Sequence, residues 1–114
     1  MVVNYLWLNT PATIYGNANN PIALTSVIDV CCFEILDVSL EFSSNTLSNA
    51  IALVVDWFDY SGVFLFSETL ISSTAVSGSL VYSTSVKGSQ ASLKITNPVN
   101  AGFTASTQAI LREE

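Results

Sequence analysis

The clearest alternation of apolar and polar residues runs through Val27–Phe42. From Leu36 onward every even position is apolar, while the odd positions carry two acids and a serine. A period of two is typical of a β-strand that buries one face. Because sixteen residues is long for one strand, we expect a bulge or bend near Cys32–Glu34. The predicted inward positions are Leu36, Val38, Leu40 and Phe42.

Similar segments, bounded by turn residues, follow along the rest of the chain. No window of ten residues shows a helical repeat, and Ile51–Phe58 is apolar on both faces, as a strand covered on both sides would be. The pattern predicts an all-β fold, an antiparallel two-sheet β-sandwich of the jelly-roll kind with seven or eight strands, as one domain over residues 1–114. Turns or loops are expected at Asn17–Pro21, Ser43–Thr46, Asp59–Gly62, Ser72–Ser79, Lys87–Ser89 and Asn97–Gly102. The further strands are expected at Val2–Leu8, Ala12–Tyr15, Ile51–Phe58, Val63–Ile71, Leu80–Val86, Ala91–Thr96 and Phe103–Leu111. In the last two strands the inward positions are predicted to be Ala91, Leu93 and Ile95, and Phe103, Ala105, Thr107, Ala109 and Leu111.

Composition excludes several classes of function. Charged residues make up 11% of the 114 residues and hydrophobic residues 50%, with a net charge of −6 and no histidine. Globular domains usually carry about 25% charge. A chain this rich in apolar residues is not expected to be disordered. Three basic residues are too few for a surface that binds nucleic acid. Histidine-based catalysis and histidine metal ligation are excluded, and no cofactor is expected.

Charge is distributed unevenly along the chain. The first 86 residues contain seven acids and no base, whereas Lys87, Lys94 and Arg112 all lie in the last 28 residues. With only three bases, chance is one explanation. The other is a surface with an acidic side and a mildly basic side, suited to head-to-tail contact between copies of the chain. On that interpretation the three bases belong to an assembly interface.

The N-terminal segment Met1–Leu8 is rich in large apolar residues and precedes a polar, asparagine-rich stretch. It either forms the first strand of its own sandwich or, as an arm over residues 1–9, adds a strand to the sheet of a neighbour. Val3, Tyr5 and Trp7 are its candidate interface residues. The segment lacks the basic start of a signal peptide, and the uncharged stretch up to Ile28 is too polar for a membrane helix, so no membrane partner is expected.

The densest cluster of functional residue types is Asp56–Tyr60. Trp57 or Tyr60 is the candidate for stacking on a sugar ring, with Asp56 or Asp59 accepting hydrogen bonds from its hydroxyl groups. The alternative is a strand end in which Trp57 packs in the core with Ile51 and its neighbours while Asp59 begins a turn. A calcium site from Asp56 and Asp59 has no supporting motif, and the scattered carboxylates do not indicate a glycosidase.

Cys31 and Cys32 are adjacent and lie within the predicted strand. Neighbouring side chains on a strand point to opposite faces, so the two thiols are not expected to bond to each other. We expect one buried cysteine and one on the other face. A disulfide between chains through the outward cysteine is the alternative.

Four segments resemble the small jelly-roll subunits of prokaryotic and viral assemblies. Such subunits include phage decoration and fibre proteins and the subunits of bacterial endospore appendages. The resemblance implies self-association, although endospore-appendage subunits carry cysteine in an N-terminal arm that here has none. The segments that carry it are ALVVDWF (Ala52–Phe58), SETLIS (Ser67–Ser72), VKGSQASLKITN (Val86–Asn97) and GFTASTQAIL (Gly102–Leu111).

Low charge and this resemblance together favour a non-enzymatic structural subunit. It would self-assemble or decorate a virion or an extracellular filament, with copies of itself and a capsid or filament scaffold as partners. The expected location is the virion, the extracellular space or the cell surface. The alternative function is a carbohydrate-binding module that uses the exposed aromatic residues near the turn at residues 56–60.

Overall fold

The computed structural model describes residues 3–13, 21–43, 51–96 and 104–113. All regular secondary structure in these ranges is β-strand. None of the described residues forms a helix with the length and apolar character needed to cross a membrane. The strands are β1 (Asn4–Thr13), β2 (Ile22–Ala23), β3 (Ile28–Asp29), β4 (Ile35–Ser43), β5 (Ile51–Phe58), β6 (Phe64–Ser73), β7 (Gly78–Ser85), β8 (Gln90–Thr96) and β9 (Thr104–Arg112).

The strands form two antiparallel sheets with the orders β1-β9-β4-β7 and β2-β8-β5-β6, and β3 also pairs with β8. β2 and β3 both pair with β8 and together take the place of a single strand. Counted in this way, the described chain has eight strands. The first pairs with the last, the second with the second-last, and so on to the β5–β6 hairpin. This is a ribbon rolled into two sheets, as in a jelly roll. The predicted two-sheet sandwich is confirmed.

The core lies between the sheets and is built by the inward positions that the period of two predicted. Trp57, with no exposed surface, is the largest fully buried side chain of the described residues. On the outer face of β5, Val54 is buried and the other three residues are half-buried, so the expectation of full cover on both faces holds for the inner side and for Val54 alone on the outer side. The core residues that alternation identified correctly include Leu36, Val38, Leu40, Phe42, Ile51, Leu53, Val55, Trp57, Ala91, Leu93, Ile95, Ala105, Thr107, Ala109 and Leu111.

The predicted long strand Val27–Phe42 is wrong in its first half. The chain leaves the β8 sheet after β3, turns, and enters the other sheet at β4. Val30 fixes the crossing, because its N–H donates to the Ser89 carbonyl at 2.9 Å and its carbonyl accepts from the Phe33 N–H at 3.1 Å. Both cysteines therefore lie in a turn and both are exposed, so the prediction of one buried thiol is also wrong.

Several predicted boundaries moved by a few residues. β7 begins at Gly78, so the loop predicted at Ser72–Ser79 shrinks to residues 74–77, and the weak strand expected at Ala12–Tyr15 is partly the end of β1. Most of three predicted turns or loops lies outside the described residues: Asn17–Pro21, Ser43–Thr46 and Asn97–Gly102.

Candidate assembly surface

The two sides of the sandwich, where the edge strands of the sheets meet, differ in how the core is covered. One is the closed side, formed by β1, β2, β3 and the chain between β3 and β4. There Val30 is fully buried and further apolar side chains pack against the core. The covering segment therefore keeps the core from solvent on this side. The partly buried residues that pack there are Trp7, Ile22, Leu24, Ile28 and Phe33.

The opposite side, formed by β6 and β7, exposes a run of large apolar residues. Their exposed fractions range from 38% to 79%, and several large apolar residues exposed close together usually mark an interaction site. Val81 is the most exposed of them, at 79%. We call this surface the open side. Its members are Val63, Phe64, Leu65, Phe66, Leu80, Val81 and Tyr82.

Inward-facing residues reach solvent here because, among the described residues, no strand lies beyond β6 or β7. Phe66 pairs with the fully buried Trp57, and Tyr82 pairs with the buried Val38, so both point toward the core. Even so, Phe66 is 41% exposed, Tyr82 44% and Leu80 38%. The core is thus continuous with the outer surface on the open side.

Glu68 links the two sheets within the open side. Its carboxylate accepts hydrogen bonds from Trp57 Nε1 at 3.0 Å and Thr84 Oγ1 at 2.9 Å, and Lys87 Nζ lies 3.1 Å from both carboxylate oxygens. Burial acts to raise the pKa of Glu68, but the hydrogen bonds from Lys87, Thr84 and Trp57 outweigh it and hold that pKa below its usual value. This bridge connects β5, β6 and β7.

The three bases do not gather on one surface, so the expected basic side is absent. Lys94 pairs with Asp56 at 3.2 Å on the outer face of one sheet, and Arg112 pairs with Asp37 at 2.7 Å on the outer face of the other. Lys87 lies at the open side with Glu68. Each base thus neutralises an acid of its own chain, and a role for any of them in contacting a neighbour stays a prediction.

The N-terminal strand belongs to its own sandwich in this structure. β1 pairs with β9 from Asn4 to Thr13, with a bulge at Trp7 that disrupts the predicted alternation. Val3 and Tyr5 are exposed, Trp7 is half-buried, and Tyr5 packs against Phe33 with ring centroids 6.0 Å apart. Exchange of this strand with a neighbour stays a prediction.

The aromatic cluster at residues 56–60 divides into a buried ring and an exposed one. Trp57 is fully buried with its N–H bonded to Glu68, so the prediction that it stacks on a sugar is wrong. Tyr60, at the tip of the β5–β6 turn, is 84% exposed. The sequence alone had already favoured burial of Trp57, because alternation places it with the core residues of β5.

Asp59 maintains the turn on which Tyr60 sits. Its Oδ1 accepts hydrogen bonds from the Ser61 N–H, the Ser61 hydroxyl and the Val63 N–H at 2.8–3.0 Å. The hydrogen bond from the Val63 backbone, followed by those from Ser61, holds the pKa of Asp59 below its usual value. Gly62, with φ of 87°, supplies the left-handed conformation that the turn requires.

The described residues contain no group of three or more acidic, cysteine or histidine side chains that could hold a metal ion. Asp56 accepts a hydrogen bond from Ser67 and pairs with Lys94, while Asp59 holds its own turn. The calcium hypothesis therefore gains no support from the described carboxylates.

The two thiols lie side by side in the turn between β3 and β4, with their sulfur atoms 3.7 Å apart. The carboxylate of Asp29 accepts a hydrogen bond from the Cys31 N–H at 3.0 Å. Hydrogen bonding to Asp29, and then to Cys32, raises the pKa of Cys31 to about 11. Cys31 is therefore a protonated and weakly nucleophilic thiol at neutral pH.

Neither protein-family models nor curated proteins give a match to the sequence. Solved structures do share the fold. The VP2 subviral particle of infectious bursal disease virus superposes with a TM-score of 0.64 at 11% identity, covering 100% of this chain and 32% of the VP2 chain. The CBM22-1–GH10 modules of Clostridium thermocellum xylanase 10B, complexed with xylohexaose, superpose at 0.52 with 15% identity, covering 99% and 26%.

A subunit of the disulfide-linked Bacillus endospore appendages is more distant, with a TM-score of 0.41 at 11% identity. The shared fold thus rests on the first two structures, and the chain spans about a third of the VP2 chain. At these identities the likeness shows the β-sandwich fold alone. The resemblance in layout to jelly-roll structural subunits is confirmed at that level.

The open side itself was not predicted from the sequence. A signal was present, since Val63–Phe66 is apolar on both strand faces and Gly78–Ser85 has no charged residue. What the sequence did not reveal is that these two strands are edges and lie next to each other in the fold.

Proposed function

We propose that the chain is a non-enzymatic structural subunit that associates with copies of itself through the open side. The observation that carries this proposal is the set of seven large apolar residues exposed along β6 and β7, since exposed apolar patches usually mark interaction sites. A fold shared with a virus protein that forms subviral particles supports it. Decoration of a virion or an extracellular filament is the form of assembly that we expect.

Electrostatics favours the open side as the contact. Two copies with a net charge of −6 each repel one another over most of their surfaces. The exposed residues at Val63–Phe66 and Leu80–Tyr82 carry no charge, and the nearby Glu68 is paired with Lys87. Contact at the open side therefore brings few acids of the two copies close together. Added salt should strengthen this contact by screening the remaining repulsion.

Two matched substitutions test this proposal. Leu65 on the open side and Val27 on the closed side are almost equally exposed, at 47% and 46%. We expect the wild-type chain to form species larger than the 12.2 kDa monomer in analytical ultracentrifugation, Leu65→Lys to shift it toward monomer, and Val27→Lys to behave as wild type. A wild-type chain that remains monomeric at all concentrations and salt levels would overturn the proposal, as would equal effects of the two substitutions.

A carbohydrate-binding module remains a second candidate. It is favoured by the exposed ring of Tyr60 and by the fold shared with a xylanase fragment that includes a CBM22 module. Aromatic rings at such positions stack on sugars through their apolar faces. A polysaccharide pull-down tests it. Binding that is lost in Tyr60→Ala supports the module, and no binding by the wild-type chain excludes it for the polysaccharides used.

A further inference from the structure

We propose that β7 is the strand at which the second copy joins. The β7 strands of two copies pair antiparallel about a two-fold axis and merge their β1-β9-β4-β7 sheets into one sheet of eight strands. This inference rests on the self-association proposed above and adds the strand, the symmetry and the register.

The described strands give the two sheets four edges, and three of these edges carry features that oppose pairing with another chain. β1 has a bulge at Trp7 and contains Pro11, which has no N–H to donate. β2 and β3 are only two residues long each. β6 has irregular register at two places and carries Glu68, which points inward. Bulges, prolines, short strands and inward charges are the devices by which proteins protect their edges.

β7 has none of these protective features. It pairs with β4 over all eight residues from Gly78 to Ser85 without a register shift, and it contains no charged residue and no proline. Every second residue of such a strand directs its N–H and C=O away from β4, toward the open edge. Among the edges formed by the described residues, β7 is therefore the regular and unprotected one.

Two-fold symmetry follows because two unprotected edges can meet only when β7 faces β7. A two-fold axis perpendicular to the sheet makes the pair antiparallel and keeps inward side chains with inward side chains. With the axis at Val81, Leu80 faces the partner's Tyr82 on the inner side, and Val81 faces the partner's Val81 on the outer side. Serine faces serine at positions 79 and 83.

The charges near this contact allow the approach. The nearest acids on the same sheet are Asp37 and Glu41 of β4, one strand spacing of about 4.8 Å back from the edge. Asp37 is already paired with Arg112 and accepts a hydrogen bond from Ser83. β7 itself contains no acid, so no two acids face each other across the paired β7 strands.

The contact also covers apolar surface that β7 exposes to solvent. Leu80 is 38% exposed, Val81 79% and Tyr82 44%. The half-exposed Leu80 and Tyr82 gain apolar cover from the partner, and the free backbone groups of β7 gain hydrogen bonds.

Opposite charges at position 81 test the strand and the symmetry together. Because Val81 faces its own counterpart, Val81→Lys alone and Val81→Glu alone each place like charges opposite one another. We expect each variant to dimerise at least about tenfold more weakly than wild type in sedimentation equilibrium at low salt. An equimolar mixture of the two should recover dimer as a Lys–Glu heterodimer.

The remaining outcomes separate this inference from the proposed function. Val81 is exposed, so both variants should keep the wild-type melting temperature at protein concentrations low enough for wild type to be monomeric, and Val27→Lys should dimerise as wild type. A wild-type chain that never associates overturns the proposed function. A wild-type chain that associates while the Val81 variants do so equally well, or a mixture that recovers nothing, overturns pairing of β7 with β7 and indicates a head-to-tail contact.

Discussion

The closed and open sides of the sandwich show how the same rolled ribbon can either seal its core or expose it. On the closed side, residues 30–34 cross from one sheet to the other and place Val30 and Phe33 over the core. On the open side, β6 and β7 are joined by residues 74–77 alone. Such a short connection has no residues to spare as a cover, so Phe66, Leu80 and Tyr82 remain half-exposed.

This difference separates stability from association. An apolar residue on the closed side has its surface removed from water by folding itself, so a change there acts on the free energy of unfolding. An apolar residue on the open side retains much of its exposed surface for a partner. The predictions below test that separation.

The largest effect is expected from Val30→Asp on the closed side. Val30 is fully buried, so a carboxylate there lacks both water and a counter-ion, and the free energy of unfolding should fall by about 4 kcal/mol or more. Urea denaturation measures the loss. Val27→Asp, three residues earlier and exposed, is the control and should change stability by no more than about 0.5 kcal/mol. Equal losses would show that the closed side does not seal the core.

A smaller effect is expected from Glu68→Ala in the bridge at the open side. The substitution leaves the N–H of the buried Trp57 without its acceptor, and Thr84 and Lys87 lose their shared partner. The free energy of unfolding should fall by about 2 kcal/mol. Glu68→Gln retains an acceptor for Trp57 and should lose less. If Glu68→Ala is as stable as wild type, the bridge does not hold β6 and β7 together.

The smallest effect is expected from acid. Hydrogen bonds hold the pKa of Glu68 below its usual 4.5 and that of Asp59 below its usual 3.8. Groups of this kind stabilise the folded state above their usual pKa, and the contribution is lost as the pH falls through the lowered folded value. Melting temperature should therefore decline below about pH 4.5, with a shallower decline in Glu68→Gln. Identical profiles for the two proteins would contradict a role for Glu68 in this decline.

Particular residues show how far the sequence could predict the fold. The inward faces of β4, β8 and β9 were correct, because alternation is a local property of a pleated strand. The same rule failed at Cys31, since the strand that it assumed ends where the chain crosses between sheets. The hydrogen-bond acceptor of Trp57 could not be predicted from the sequence, because Glu68 lies eleven residues away across a hairpin whose register shifts twice.

The candidate surface divides in a similar way. Tyr60 was identified as the freer ring from its place in a turn, and Asp59 as a turn residue. The three bases were grouped by their positions along the chain, yet the structure distributes them to two sheet faces and one loop. Position along the chain did not predict which acid would lie opposite each base, because strand pairing decides that.

The sequence by itself, through its shortage of charge and its period-two pattern, determined an all-β sandwich and most of its inward residues. Both are properties of composition and of neighbouring residues, which act before any long-range contact forms. Only the tertiary structure decided which strands became edges, and so which inward residues reach water. Leu40 and Leu80 occupy equivalent inward positions on paired strands, but a strand lies on each side of Leu40 and on only one side of Leu80.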